Sequence, residues 1–152
     1  KKLAKIVQQC RDIPGKELFQ YYDEDGQRHP VDSGMVNQYI KEHIGDGFTA
    51  KDFRTWAGCL NLLRAFKNIG LYQNATECKH NINVALDEVS SKLGNTRTVC
   101  KKYYVHPGLI RLYEENKIEN HLQQLDEIEK NDNRTARTNE EKILMSLLSV
   151  IS

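Results

Sequence analysis

Residues 93–107 read LGNTRTVCKKYYVHP, a stretch that marks where one helix ends and the next helices begin. Gly94 favours a helix end, because glycine readily takes the left-handed conformation found there. Thr96 is a good N-cap for a short helix that leads to Tyr104. Pro107 either ends that helix or begins the following one. Because the stretch holds several basic residues and no acidic one, it predicts a phenol in a positive environment.

Two long helices are predicted before this stretch. The first covers TAKDFRTWAGCLNLLRAFKNIG (49–70), where Thr49 and Asp52 resemble a capping box and Gly70 ends the helix. The second runs from about residue 74 or 76 to residue 93. The apolar residues of its expected buried face are Val84, Leu86, Val89 and Leu93.

The N-terminal part is predicted to hold a helix and a β-hairpin. Residues 1–10 resemble the end of an amphipathic helix. Residues 19–22 and 29–31 flank Asp25-Gly26, which predicts a short hairpin. The apolar residues on one face of the first helix are Leu3, Ile6 and Val7.

A further helix is predicted between the hairpin and residue 45. Ser33 is a good N-cap, and the helix extends to about His43, before Gly45 and Gly47 break the chain. The residues expected to face inward are Met35, Val36, Tyr39 and Ile40.

The C-terminal part contains a polar segment between two helical ones. HPGLIRLYEEN (106–116) is helical in pattern, whereas EKNDNRTARTN (129–139) lacks periodicity and predicts a loop or linker. Thr138 and Glu141 resemble a capping box before KILMSLLSVI (142–151), whose apolar side must dock. We therefore predict a core over residues 1–130 and a linker with a C-terminal helix over residues 131–152.

Composition restricts the classes of protein to consider. The chain has 152 residues, 39% of them hydrophobic, and a net charge of +1, so any basic patch is local. No apolar run reaches the roughly 18 residues of a membrane helix, so no membrane partner is expected. The four cysteines and five histidines show no metal-ligand spacing, so no metal is expected. Reduced structural thiols are expected, which suits a cytoplasmic location.

Two pairs of residues are suited to phosphate chemistry. Lys51 and Arg54 share a face near the start of a predicted helix, where the helix dipole favours anions. Asn95 can donate an amide hydrogen bond, and Tyr104 is a nucleophile that needs neighbouring cations to be activated. Each pair also has a purely structural interpretation. Lys51 and Arg54 can be solvated surface charges, and Tyr104 can be a core tyrosine that forms a hydrogen bond through its hydroxyl.

Taken in order, Lys51-x-x-Arg54, Gly94-Asn95-Thr96 and Tyr104-Val105-His106-Pro107 resemble the catalytic domain of type IB DNA topoisomerases. The bacterial and poxvirus-like branch is the most similar. The stretches that carry the resemblance span nearly the whole chain: CRDIPGKELFQYYDEDG (10–26), VNQYIKE (36–42), FTAKDFRTWAG (48–58), LGNTRTVCKKYYVHP and EEKILMSLL (140–148).

The resemblance implies a fold and a set of partners. The fold is mainly α, the multi-helix catalytic domain of the tyrosine recombinase/type IB topoisomerase fold, with one small β-hairpin near residues 19–31. The implied partner is double-stranded DNA, bound by a monomer without a small-molecule cofactor in the cytoplasm, at a bacterial nucleoid.

The resemblance also implies residue roles. Tyr104 would attack a DNA phosphodiester and become linked to the 3′ phosphate, while Arg54 would clamp the non-bridging oxygens. Lys51 would be a second cation, and Asn95 would donate a hydrogen bond to the phosphate. Tyr103 is the competing nucleophile, but in the family the reactive tyrosine stands one residue before His-Pro or Asp-Pro. The residues implied to bind DNA are Lys51, Arg97, Lys101 and Lys102.

The chemistry implied is an exchange of one phosphodiester for another. The nick therefore stays reversible, and the strand swivels and is resealed without ATP or metal. The sequence agrees, because it contains no GxxxxGK[ST] loop and no acidic metal cluster.

The chain also departs from the family. An arginine and a general-acid lysine would be expected before residue 1, so we expect the chain to be cut from a longer enzyme and to be essentially inactive alone. Lys1 and Lys2 are not assigned that role. Cys59 stands where relatives often have threonine, which we interpret as a core substitution without chemical consequence.

Two alternatives stay open. A tyrosine recombinase or integrase shares the fold and the chemistry, and Asn95 followed nine residues later by Tyr104 (104 − 95 = 9) resembles its LGH…Y box. Against it, recombinases usually carry histidine at the position of Lys51. A non-catalytic helical DNA-binding module would use the same basic residues to position phosphates without cutting.

Overall fold

Helices make up most of the chain, as the sequence predicts. The structure, a computed structural model, describes the backbone of residues 2–130 and 136–151 and the side chains of residues 2–125 and 139–151. The elements in these ranges are α1 (Lys2–Asp12), β1 (Gln20–Tyr22), β2 (Arg28–Pro30), α2 (Ser33–Ile44), α3 (Ala50–Ile69), α4 (Ala75–Leu93), α5 (Arg97–Tyr103), α6 (Pro107–Glu114), α7 (Glu119–Lys130) and α8 (Ala136–Ile151). A mainly α chain with one small hairpin is confirmed. None of the described helices is long and apolar enough to cross a membrane.

The chain forms two compact units, residues 1–50 and residues 51–152. The predicted division between residues 130 and 131 is a different one and stays a prediction. Of the predicted linker, residues 131–135 lie outside the described residues.

The first unit contains the predicted hairpin. Its antiparallel strands pair Gln20 with Pro30, Tyr21 with His29 and Tyr22 with Arg28. Asp23 closes the turn, because its carboxylate accepts from the backbone N–H groups of residues 25 and 27 at 3.1 and 2.7 Å and contacts His29 Nε2 at 2.6 Å. The hydrogen bond with His29, together with those backbone N–H groups, lowers the pKa of Asp23 below 3.8.

The helix α2 differs from its prediction in cap and in face. Asp32, not Ser33, is the N-cap, since its side chain accepts from Met35 N at 2.8 Å. Ile40 is buried as expected, but the prediction that Met35, Val36 and Tyr39 face inward is wrong, because each is at least 39% exposed. The predicted apolar face of α1 is exposed as well: Leu3, Ile6 and Val7.

The second unit holds most of the apolar core, built around α3 and α4. Gly70 ends α3 with φ +84°, and Gly94 ends α4 with φ +66°, both as predicted. Leu86 and Val89 on α4 are fully buried, whereas Val84 is 41% exposed and was wrongly placed on the buried face. Other fully buried side chains of this core are Leu62, Phe66, Leu109, Tyr113, Ile118 and Leu144.

The helix α7 was not predicted. Ile118 just before the helix and Leu122 and Leu125 within it are all buried and lie at helical intervals, but polar residues, most of them charged or amide-bearing, lie between them. Because polar residues separate these apolar ones, their helical spacing was overlooked, although the intervals of four and three residues fit a helix.

The C-terminal helix packs against α3 within the second unit. The helix α8 begins at Ala136 rather than at Thr138, whose side chain lies outside the described residues. Glu140 forms an ion pair with Arg64 on α3, and Trp56 Nε1 donates to Glu141 at 3.4 Å. These polar contacts and the buried Leu144 and Leu147 fix α8 to α3 and the core.

Candidate active site

The predicted site residues come from three places in the second unit. The first turn and a half of α3 carry Lys51 and Arg54, the turn between α4 and α5 carries Asn95, and Tyr104 caps the C-terminal end of α5. Thr96 is the N-cap of α5 as predicted, and its hydroxyl accepts from the N–H of residue 99 at 3.3 Å. The cap and the left-handed Gly94 together turn the chain back towards α3.

Arg54 is the centre of the arrangement. Its Nη2 donates to Leu93 O at 2.8 Å and to Asn95 Oδ1, so the guanidinium is tied to the end of α4. Its Cζ atom lies 4.8 Å from the centroid of the Tyr104 ring. The structure therefore brings Arg54, Asn95 and Tyr104 together, although they are up to 50 residues apart (104 − 54 = 50).

The hydrogen bonds of Arg54 leave useful donors on both partners. A guanidinium has five N–H donors, and the two on Nη2 are directed to Leu93 and Asn95. The amide oxygen of Asn95 faces Arg54, so its NH₂ group remains to donate elsewhere. An anion beside the Tyr104 ring would lie near the Arg54 guanidinium, whose Cζ is 4.8 Å from the ring centroid.

Tyr104 does not fit the alternative interpretation of a core tyrosine with a hydrogen-bonded hydroxyl. Its ring is half-buried, and within residues 2–125 and 139–151 its hydroxyl has no hydrogen-bond partner. Tyr113 is the tyrosine that fits that interpretation, since it is fully buried and its hydroxyl contacts Asn81 at 3.0 Å and Gly70 O at 2.7 Å.

Lys51 lies beside the neighbouring phenol instead. Its Nζ is 5.7 Å from the centroid of the Tyr103 ring, and Lys102 Nζ is 5.1 Å from the same centroid. Tyr103 is 47% exposed, so the two ammonium groups and this ring form a cationic surface next to Tyr104.

The other predicted DNA-binding residues lie on α5. Arg97 forms a two-pronged ion pair with Asp87 at 2.6 and 2.5 Å, which raises the pKa of Arg97. Arg97, Lys101 and Lys102 line a surface groove of about 400 Å³. Because Asp87 offsets the charge of Arg97, the groove owes its net positive charge to the two lysines.

One face of α3 holds the chain around Tyr104, and sequence reasoning missed it. Thr55 Oγ1 lies 3.4 Å from Tyr103 O. A Cβ atom at Gly58 would overlap the carbonyl oxygen of Tyr104, so only glycine allows this approach. Cys59 is buried, as expected of a core residue, and its Sγ accepts from His106 N at 3.3 Å; its interpretation as a core substitution without chemical consequence stays a prediction. The spacing 55, 58, 59 is that of one helical face, a signal the sequence does contain.

The family of the chain follows from comparison with known proteins. The family model described as eukaryotic DNA topoisomerase I, catalytic core, matches residues 1–132. The chain belongs to the DNA topoisomerase I family. It is also 33% identical over 117 residues to DNA topoisomerase 1B of Acanthamoeba polyphaga mimivirus, a match that covers 72% of this chain and 35% of the viral protein. This topoisomerase I chain thus spans about a third of the length of that relative.

The placement among type IB topoisomerases agrees with the sequence resemblance. The assignment to a bacterial or poxvirus-like branch is not tested by these matches and stays a prediction. The family match covers the segments that carry Lys51, Arg54, Asn95 and Tyr104.

The cysteines of this topoisomerase I chain do not form disulfides. All four cysteines are free, and Cys59, Cys78 and Cys100 are buried, which raises their pKa values and keeps them as neutral thiols. Among the described residues, no group of three or more His, Cys, Asp or Glu side chains is placed to hold a metal ion.

Proposed function

We propose that this chain carries the strand-cleaving centre of a type IB DNA topoisomerase. Tyr104 attacks a phosphodiester of double-stranded DNA and becomes joined to the 3′ phosphate. The free strand then swivels, and its 5′ hydroxyl attacks the phosphotyrosine to restore the DNA. The observation that carries this proposal is the contact of Arg54 with both Asn95 and the Tyr104 ring.

Arg54 supplies the electrostatic part of the reaction. A phosphate that approaches the Tyr104 oxygen brings negative charge next to a guanidinium that already lies over the phenol ring. The N–H donors on Nε and Nη1 of Arg54 have no partner among the described residues, so each can donate to a non-bridging oxygen of the phosphate. Since the group is held in place by Leu93 and Asn95 beforehand, little reorganisation is needed when charge develops.

Asn95 and Lys51 have different roles in the proposed reaction. Asn95 is held by Arg54 through its oxygen and donates its NH₂ to a non-bridging phosphate oxygen. Lys51 lies with Lys102 around Tyr103, so we assign both lysines to neighbouring phosphates of the strand rather than to the phosphorus under attack.

The bonds balance without an external energy source. One P–O bond forms to Tyr104, whose hydroxyl releases its proton to solvent water, and the P–O bond to the 5′ oxygen breaks as that leaving oxygen takes up a proton. Two phosphodiesters of similar free energy exchange, so the step needs no ATP. We place the donor of that proton outside the residues around Tyr104, because the nearby lysines lie over the ring of Tyr103.

Finer points are proposed on the motif resemblance alone. They are the tyrosine recombinase/type IB topoisomerase fold, the bacterial or poxvirus-like branch, action as a monomer, and a location in the cytoplasm at a bacterial nucleoid. The order and spacing of the motifs around Arg54, Asn95 and Tyr104 support them.

The proposal is tested with a DNA duplex that carries sulfur in place of one bridging 5′ oxygen. A thiolate leaves without protonation and reseals poorly, so attack traps a covalent adduct even where no proton donor is supplied. Saturating amounts of the 152-residue chain are incubated with the duplex, and mass spectrometry locates the modified residue.

Two single substitutions make a matched pair for this assay. We expect the wild type and Tyr103→Phe to form the adduct and Tyr104→Phe to form none, with DNA binding unchanged in all three. An adduct on Tyr103 would overturn the assignment. Bound but intact duplex with the wild type would favour the non-catalytic DNA-binding module.

A further inference from the structure

The backbone that follows Tyr104 has an unusual hydrogen-bond partner. The last hydrogen bond of α5 runs from Tyr104 N to Cys100 O, at 2.9 Å. Between Tyr104 and the start of α6 at Pro107, the chain leaves helical geometry. The N–H of His106 lies in this gap and donates to the sulfur of Cys59 at 3.3 Å. A backbone N–H that lost its partner here would carry the free-energy cost of an unmade hydrogen bond.

The sulfur is fixed in place and in protonation state. Cys59 is 2% exposed and lies in α3, and burial raises the pKa of its thiol. A neutral, buried thiol does not react with solvent oxidants and acts here only as a weak acceptor.

The chain is held on both sides of the Tyr104–Val105 segment. Gly58 touches the Tyr104 carbonyl, with the carbonyl carbon 3.1 Å and Tyr104 Cβ 3.3 Å from a Cβ built at Gly58. Cys59, the next residue of α3, holds His106, and Val105 between them is buried. The direction in which the Tyr104 side chain leaves the backbone is therefore set by two consecutive residues of α3.

We propose that Cys59 is a positioning residue for Tyr104, which it holds through the hydrogen bond from His106 N to its sulfur. The inference rests on the proposed function, because positioning has a purpose only if Tyr104 attacks DNA. It assigns the fourth residue of the Trp56-Ala57-Gly58-Cys59 run a role in catalytic geometry that does not involve touching the substrate.

Valine and threonine at position 59 provide a matched comparison. The two side chains have nearly the same shape, and only threonine offers an oxygen that accepts from His106 N. Any effect of a β-branched side chain on packing is shared by Cys59→Val and Cys59→Thr, so their difference reports the hydrogen bond. Cys78→Val is the control for loss of a buried thiol elsewhere on the core.

Two measurements are made on each variant of the 152-residue chain. Hydrogen exchange of the His106 amide, followed by NMR, should be roughly 3- to 10-fold faster in Cys59→Val than in Cys59→Thr. The rate of adduct formation on the sulfur-bridged duplex should be lower in Cys59→Val by a similar factor, restored in Cys59→Thr, with equal DNA affinity. Cys78→Val should change neither quantity.

The outcomes separate this inference from the proposed function. Equal exchange at His106 in the valine and threonine variants overturns the hold on the backbone. Different exchange with equal adduct rates overturns the positioning role and leaves the proposed function intact. A wild type that forms no adduct counts against the proposed function, whereas His106 exchange still decides whether Cys59 holds the chain.

Discussion

Alanine at position 58 tests how closely α3 must approach the Tyr104 backbone. The added Cβ would overlap Tyr104 O, and because the carbonyl belongs to the main chain, no side-chain rotation relieves the overlap. To reach ordinary contact, α3 and residue 104 must separate by about 1 Å.

The size of the effect follows from two opposed terms. Gly→Ala in a helix interior gains about 0.5–1 kcal/mol from helix propensity. Overpacking in a dense core costs about 1–3 kcal/mol, and a backbone clash belongs near the top of that range. We therefore expect Gly58→Ala to lower the free energy of unfolding by about 1–2 kcal/mol. Adduct formation should fall by on the order of 10²-fold, since a displacement of about 1 Å disturbs the attack geometry that much.

Urea denaturation and single-turnover adduct formation measure the two effects. Gly47→Ala is the control, because a Cβ there meets nothing within 4 Å and should change stability by less than about 0.5 kcal/mol. If Gly58→Ala were as stable and as active as the wild type, the close contact between α3 and Tyr104 would be refuted.

Four further predictions concern single interactions and the chain as a whole. Arg54→Ala should slow adduct formation by roughly 10²–10³-fold, and Arg54→Lys should restore little because a lysine ammonium lacks the planar set of donors that contacts Leu93 and Asn95 and still faces the phosphate; near-normal adduct rates for either variant would contradict this. Glu140→Gln should lower the free energy of unfolding by about 1–3 kcal/mol in urea denaturation, since it weakens an ion pair with Arg64 in which the Glu140 side chain is only 11% exposed; an unchanged midpoint would show that the pair contributes nothing. Asp23, with a folded pKa below its unfolded value of 3.8, should add stability that is present above pH 3.8 and lost as the pH falls through the folded pKa. An NMR titration checks this, and His29→Ala should raise the pKa of Asp23. The 152-residue chain alone should relax supercoiled plasmid at least about 10²-fold more slowly than a chimera in which the mimivirus relative supplies the flanking parts; equal rates would show that the chain holds its own proton donor.

The sequence predicted the helix ends at which a residue with a strong capping preference stands. Gly70 and Gly94 end helices because the left-handed backbone is required there, and Thr96 begins α5 because its hydroxyl meets a free N–H. These effects act within a few residues of each other, so the linear pattern contains them. The N-cap of α2 was misplaced by one residue because Asp32 and Ser33 are both good caps and only the structure shows which side chain faces the helix.

Exposure was harder to predict than secondary structure. Met35, Val36 and Tyr39 have the helical spacing of a buried face, but burial depends on what packs against the helix, which spacing does not reveal.

The candidate site also has one part that agrees with the sequence prediction and another part that only the structure shows. The convergence of Arg54, Asn95 and Tyr104 agrees with the motif resemblance, whereas the contacts of Gly58 and Cys59 with residues 104 and 106 appear only in three dimensions. The pairing of Lys51 with Tyr103 rather than with Arg54 was likewise not readable from their spacing.

The ties between α8 and α3 bear on the order of events during synthesis. Arg64 meets Glu140 across 76 positions of sequence, and Trp56 meets Glu141 across 85. Contacts so distant cannot form until the later partner has left the ribosome, and they are slow to close. A nascent chain therefore lacks this brace on α3 until Glu140 and Glu141 have been synthesised and have left the ribosome. Until then, the helix that carries Arg54 must be held by the packing of residues that precede α8.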